Sequence, residues 1–149
     1  MPLLAHSPAE IVRDWMVSQG LGATPAQGGT QPEWPIVVDA ITPTPNDCIA
    51  VADTTGVKFA KDAYGNATEH FGIQVMVRAG TRRPAWVKAN VICEAFDNLL
   101  SSATVTIGAS SYCLGMIRRT SSSPIRMPPE QGSSRRMFSI NALVYVRPS

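Results

Sequence analysis

Residues 69–147 decide the fold: EHFGIQVMVRAG (69–80), RRPAWVKANVICEAFDNLLSS (82–102), SYCLGMIRR (111–119) and RRMFSINALVYV (135–146). In the first of these, Phe71, Ile73, Val75 and Val77 alternate with Gly72, Gln74, Met76 and Arg78, the period of a half-buried strand. The second places Ala85, Ala89, Ile92, Phe96 and Leu99 at steps of three and four, with Cys93 and Leu100 widening the stripe. Thr81 is its expected cap, and Pro84 sits in the first turn. The third predicts a strand with Tyr112, Leu114 and Met116 on one side. In the last, Phe138, Ile140, Ala142, Val144 and Val146 oppose Ser139, Asn141, Leu143 and Tyr145, a long strand expected inside the sheet and ended by Pro148. The order is that of an α/β (α+β) fold, a mixed and mainly antiparallel β-sheet with about two helices packed on one face.

Upstream, Ser7, Pro8 and Glu10 announce a first helix within residues 1–20, with Ile11, Trp15 and Ser18 on one face and Gly20 as its stop. That helix packs either on its own sheet or on a neighbour. Residues 21–33 are rich in Gly, Pro, Gln and Thr and read as a flexible linker, and residues 34–147 form the α/β core of a single domain spanning 1–149. Within that core, IVVDAI reads as extended, CIAVADTTG as a short strand turning at Gly56, and ATVTI as a short strand or the approach to one. Residues 57–68 read as an exposed loop. RRTSSSPIRMPPEQGSS, from Arg118 to Ser134, reads as a long interruption of the sheet.

A chain of 149 residues can bury a core without metal or disulfides. No apolar run is long enough to span a bilayer, and MPLLAHSPAE lacks the basic region and apolar core of a signal peptide, so no membrane association is expected and synthesis is expected in the cytosol. Cys48, Cys93 and Cys113 make no CxxC pair and are expected to be buried, reduced thiols. The net charge of +2 is unevenly divided. Residues 1–70 carry three basic against eight acidic groups, a net of −5, and residues 71–149 carry ten against three, a net of +7. Identical subunits could therefore attract one another head to tail, or the charges could intermix on the folded surface.

No catalytic, metal or cofactor motif is present, so neither enzymatic activity nor a bound cofactor is expected. The two histidines, His6 in the N-terminal tail and His70 at a strand mouth, lie near no nucleophile motif and read as solvated. GLGATPAQGG leads into no helix and carries no Lys, which argues against phosphate cradling. The doublets Arg82–Arg83, Arg118–Arg119 and Arg135–Arg136 fall at ends of expected elements. They could contact nucleic-acid phosphates, pair with acidic groups of a neighbouring subunit, or stand solvated.

In sequence order, WPIVVDAI, PNDCIAVADTTG, HFGIQVMVRAG, CEAFDNLL, a Tyr-bearing strand, SSSPIRM and RRMFSINALVYV together resemble the tail terminator or minor capsid proteins of long-tailed bacteriophages. The resemblance implies a virion subunit, assembled in the host cytoplasm, at the head-proximal end of the tail. There a homo-oligomeric ring, commonly six-membered, caps the tail tube, stops its growth and offers a surface to the head completion or connector protein. DNA would pass through the lumen. On this reading the loops 57–68 and 119–135 order on contact with tube or neighbour, and the expected contact surface comprises Lys58, Lys61, Tyr64, Arg82, Arg83, Arg118, Arg119, Arg126, Arg135 and Arg136. A head–tail connector or neck subunit is the alternative in the same class. A small ligand-binding or enzymatic α/β domain is the alternative from another.

Overall fold

A computed structural model describes residues 4–58 and 69–149. Its elements run α1 (Pro8–Ser18), β1 (Ile36–Val38), β2 (Cys48–Lys58), β3 (Glu69–Ala79), α2 (Arg82–Asp97), β4 (Ala103–Ile107), β5 (Ser110–Arg119), β6 (Ile125–Arg126) and β7 (Arg136–Pro148). Among the described residues, one sheet holds every strand, in the order β1-β2-β3-β7-β5-β4, with β6 on β7; β1 lies parallel to β2 and the other pairs are antiparallel. The mixed, mainly antiparallel class expected from periodicity is the class observed. As expected, β7 lies inside the sheet, between β3 and β5.

Both helices cover one face. Ile73, Val75 and Val77 of β3, Ile49 and Val51 of β2, and Phe138, Ile140, Ala142 and Val144 of β7 meet Ala9, Ile11, Val12, Trp15 and Met16 of α1 and Ala85, Ala89, Ile92, Cys93 and Phe96 of α2 in one buried cluster. The rings of Trp15 and Phe96, 6.0 Å apart, join the two helices. α1 begins with a complete capping box: the Ser7 hydroxyl accepts from the Glu10 N–H, and Glu10 accepts from the Ser7 N–H. Asp53 of β2 accepts a further hydrogen bond from the Ala9 N–H at 2.9 Å, so the sheet caps the helix as well. α1 thus packs on its own sheet.

Several expectations are corrected. Of the stretch 21–33, expected as a linker, the start is tied to the core: Leu21 is buried, Ala23 bridges Pro35 in parallel, and the Ala23 N–H donates to Trp34 O while the Ile36 N–H donates to Ala23 O. Gly22 is part of that closure, because a Cβ there would stand 2.5 Å from Trp34 O and 2.6 Å from Ile36 Cγ1. β2 does not turn at Gly56 but passes a bulge between Thr54 and Val57 and pairs on to Lys58–Glu69. Met116 does not share a face with Leu114, because a bulge between Leu114 and Met116 flips the strand parity, turning Met116 out to 45% exposure and Ile117 into the core. Leu100, expected on the buried stripe, lies past the end of α2 and is 90% exposed. Nor does the segment after Arg119 abandon the sheet. The Thr120 N–H donates to Asn141 O, β6 pairs Ile125 with Ser139, and the Met127 N–H donates to Met137 O. Residues 121–124 are therefore a local excursion from one interrupted strand along β7. ATVTI is a strand, β4, and Thr81 is the N-cap of α2 without a side-chain cap bond.

Candidate interaction surface

Strand polarity brings distant arginines together. β3 ends where α2 begins and where β7, antiparallel to it, starts, so Ala79 stands opposite Arg136. β6 lies on the other side of β7 with Arg126 opposite Phe138. Arg78, Arg82, Arg83, Arg126, Arg135 and Arg136, from three separate segments, therefore meet at one end of the sheet.

Directly opposed residues of an antiparallel pair share a face, so Arg126 flanks Phe138 on the helix side. The Arg82 guanidinium lies over the same ring, 5.8 Å from its centroid, and 6.0 Å from that of Trp86; the two rings meet edge to face at 5.3 Å. Arg82, Arg83 and Arg126 are exposed. Arg136 is half-buried and donates to Ser133 O and Arg135 O, while Arg135 donates to Pro43 O and pairs with Glu130. The first turn of α2 holds no acidic residue, so its free N–H groups add to the positive potential.

Arg78, which alternates with the apolar stripe of β3, is buried beneath the 43–47 turn and donates to Pro45 O at 2.6 Å and Asn46 O at 3.1 Å. Burial, reinforced by the nearby Arg135 charge, lowers its pKa. Nothing in the strand's alternation signals this, because the covering turn comes from another part of the chain.

The remaining arginines separate. Arg118, opposite Leu143, is exposed on the face away from the helices and has no ion pair among the described residues. Arg119 is engaged internally: its guanidinium donates to both carboxylate oxygens of Asp97 at 2.9 and 2.7 Å and to the carbonyls of Ser121 and Ser122. It fastens the end of α2 to the excursion after β5. Lys58 ends β2, opposite Glu69. Lys61 and Tyr64 lie outside the described residues, as does most of the loop expected at 57–68.

The other polar expectations shift as well. His6 is not solvated, since its Nδ1 lies 2.6 Å from the Tyr112 hydroxyl and its N–H donates to the same oxygen. The His70 ring packs edge-on against Tyr145 at 5.8 Å. Cys48 and Cys93 are buried, and burial raises the Cys93 thiol pKa, but Cys113 is only half-buried. Lys88 lies over the Trp34 ring at 5.3 Å, and its pKa is lowered by burial against the opposing pull of Glu33. The acidic and basic halves partly intermix: Asp47, from the acidic half, accepts from the Gly80 N–H at the arginine-rich end.

Among the described residues no group of three His, Cys, Asp or Glu could hold a metal ion, and no helix is long and apolar enough to cross a membrane. No protein-family model matches the chain, and no curated protein matches it. The arrangement can bind anions along a rim and bury apolar groups along strand edges.

Proposed function

We propose that this chain is a ring-forming assembly subunit of a long-tailed bacteriophage, a tail terminator that caps the tail tube, stops its polymerisation and offers a surface for head attachment. The observation that carries this reading is the gathering of the exposed Arg82, Arg83 and Arg126 at one end of the sheet, beside the internally bonded Arg135 and Arg136. Guanidinium groups on such a rim suit contact with carboxylates of an adjoining protein or with the phosphates of DNA passing through a lumen. The sequence resemblance assigns that geometry to a ring, commonly six-membered, between tail tube and head connector.

Native mass spectrometry and negative-stain imaging of the purified chain, over a range of concentration and divalent salt, test the assembly class. Rings of uniform stoichiometry support it. The terminator role is tested by adding the protein to polymerising tail-tube subunits: capped tubes of arrested length are expected. Tubes that lengthen unchanged in the presence of rings would move the reading to a head–tail connector.

A further inference from the structure

Among the described residues, two stretches of strand edge have no strand beside them, one on each side of the sheet. On the first side, β1 accompanies β2 only as far as Val38–Val51. There Asp39, at φ 79°, donates its N–H to Val51 O and turns the chain away. Among the described residues, no strand neighbours the outer edge of β2 from Ala52 onward. On the second side, β4 accompanies β5 only from Ser110 to Leu114, which leaves the outer edge of Gly115–Arg119 open. The connection from α2 to β4, residues 98–102, passes beside that edge. Between them runs a groove of about 600 Å³, lined in part by Phe96, Leu99, Leu100, Met116, Ile117 and Arg118.

An open edge presents unpaired N–H and C=O groups that template another strand, and apolar walls beside it give such a strand side-chain contacts. Leu100, 90% exposed, and Met116, 45% exposed, stand on the two banks. Arg118 adds an exposed cation, whereas Arg119 is held by Asp97. The other open edge, on β2, carries the exposed Asp53, which has one oxygen on the Ala9 N–H, followed by the exposed Thr54 and Thr55. One edge is therefore apolar and basic, and the other is polar and acidic. They sit on opposite sides of the same sheet, in the basic and acidic halves of the chain respectively.

We propose that the outer edge of β2 from Ala52 in one copy adds to the outer edge of β5 at Gly115–Arg119 in the next, joining successive sheets through a heterologous interface. Such an interface closes into a ring where the rotation between copies permits. The inference rests on the ring reading above and names the surface through which that ring is built. The bulge between Thr54 and Val57 ends the regular part of the β2 edge, so the joint is short and leans on Leu100, Met116 and Arg118.

The test uses the full chain and two variants at exposed positions, Leu100→Asp and Arg118→Glu. Assembly is followed by sedimentation velocity, and folding by circular dichroism. Hydrogen exchange is compared between dilute and concentrated protein. Each variant is expected to fold and to assemble about tenfold more weakly, and in the wild type the outward-facing Asp53 amide and the outward-facing amides within 115–118 are expected to become protected together on assembly. Rings that form with both edges still exchanging freely would overturn this joint while leaving the ring reading standing. A chain monomeric at every concentration would overturn both. A two-fold dimer protected only at 115–118 would show β5 edges pairing with each other, and protection there by a different protein would identify another occupant; either result overturns the proposal. If a variant fails to fold, the wild-type exchange pattern still decides.

Discussion

Arg119 on β5 grips both carboxylate oxygens of Asp97 at the last residue of α2, and through the same guanidinium holds the carbonyls of Ser121 and Ser122. A helix end, a strand end and the excursion between β5 and β6 thus share one cation. The hydrogen bonds from Arg119 hold the Asp97 carboxyl below its ordinary pKa. A lowered carboxyl pKa means that the stabilisation is complete above the unfolded-state value of about 4 and fades as pH falls through the folded-state value. Because Asp97 is half exposed, solvent keeps the pair below about 1 kcal/mol. Asp97→Asn is expected to lower stability by that amount at pH 7 and to match the wild type near pH 2, as read by urea denaturation at the two pH values. An equal loss at both would place the role of Asp97 in something other than its charge.

Ser7 closes the capping box of α1, and α1 supplies five of the buried core residues. Ser7→Ala is expected to cost about 1 kcal/mol. The Asp53 carboxylate still serves the Ala9 N–H, so the helix should shorten at its first turn without detaching. Denaturant titration gives the energy, and amide exchange at Ala9 and Glu10 gives the location.

The Tyr112 hydroxyl receives the His6 N–H and lies against His6 Nδ1. Tyr112→Phe keeps the buried ring and removes both contacts. A loss of about 1–2 kcal/mol is expected, since the His6 groups are left partly buried without that partner. Faster proteolysis of the N-terminal segment should accompany it, and unchanged protease sensitivity would show that α1 alone holds the segment.

Gly56 passes close to β3 at the bulge of β2, where a Cβ would overlap His70 O and stand 2.8 Å from Phe71 Cα. Those neighbours are backbone and cannot rotate aside. Gly56→Ala is expected to destabilise the chain by about 1–3 kcal/mol, measured as a shift in thermal midpoint. A Gly56 that merely ended the strand in a free turn would accept alanine at little cost.

The parts of this fold that periodicity reveals are those buried on one face along their whole length. β3, α2 and β7 each repeat apolar residues at the spacing their structure requires, and each lies where that pattern predicts, except that α2 ends at Asp97, before the expected Leu100. β2 continues past Gly56 through residues that read as a turn, because its distal half is exposed and its pairing is set by β3, not by its own pattern. Alternation puts Met116 on the face of Leu114, but a bulge shifts parity by one without leaving a hydrophobic signature. The arginine doublets were legible as ends of elements. Which of them remain available was not, since Arg119 is engaged by an acid 22 residues away and Arg78 by a turn more than 30 residues away. Sheet order and register make those assignments, and neither is written locally.

The segment after α1 leaves the core at Ala23 and returns at Pro35, pinned at its neck by the Ala23–Pro35 bridge and braced within by Gln31, which both donates to Ala26 O and accepts from its N–H. Its tip, Gln27–Thr30, is exposed, with Gly29 at φ 72°. Cutting the chain at Gly28–Gly29 would sever no element, and α1 would remain seated through the burial of Ile11, Val12, Trp15, Met16 and Leu21. The chain is in effect two pieces that recognise each other: a fragment ending at Gly28 and a fragment beginning at Gly29, produced separately, should find one another and restore the native protein.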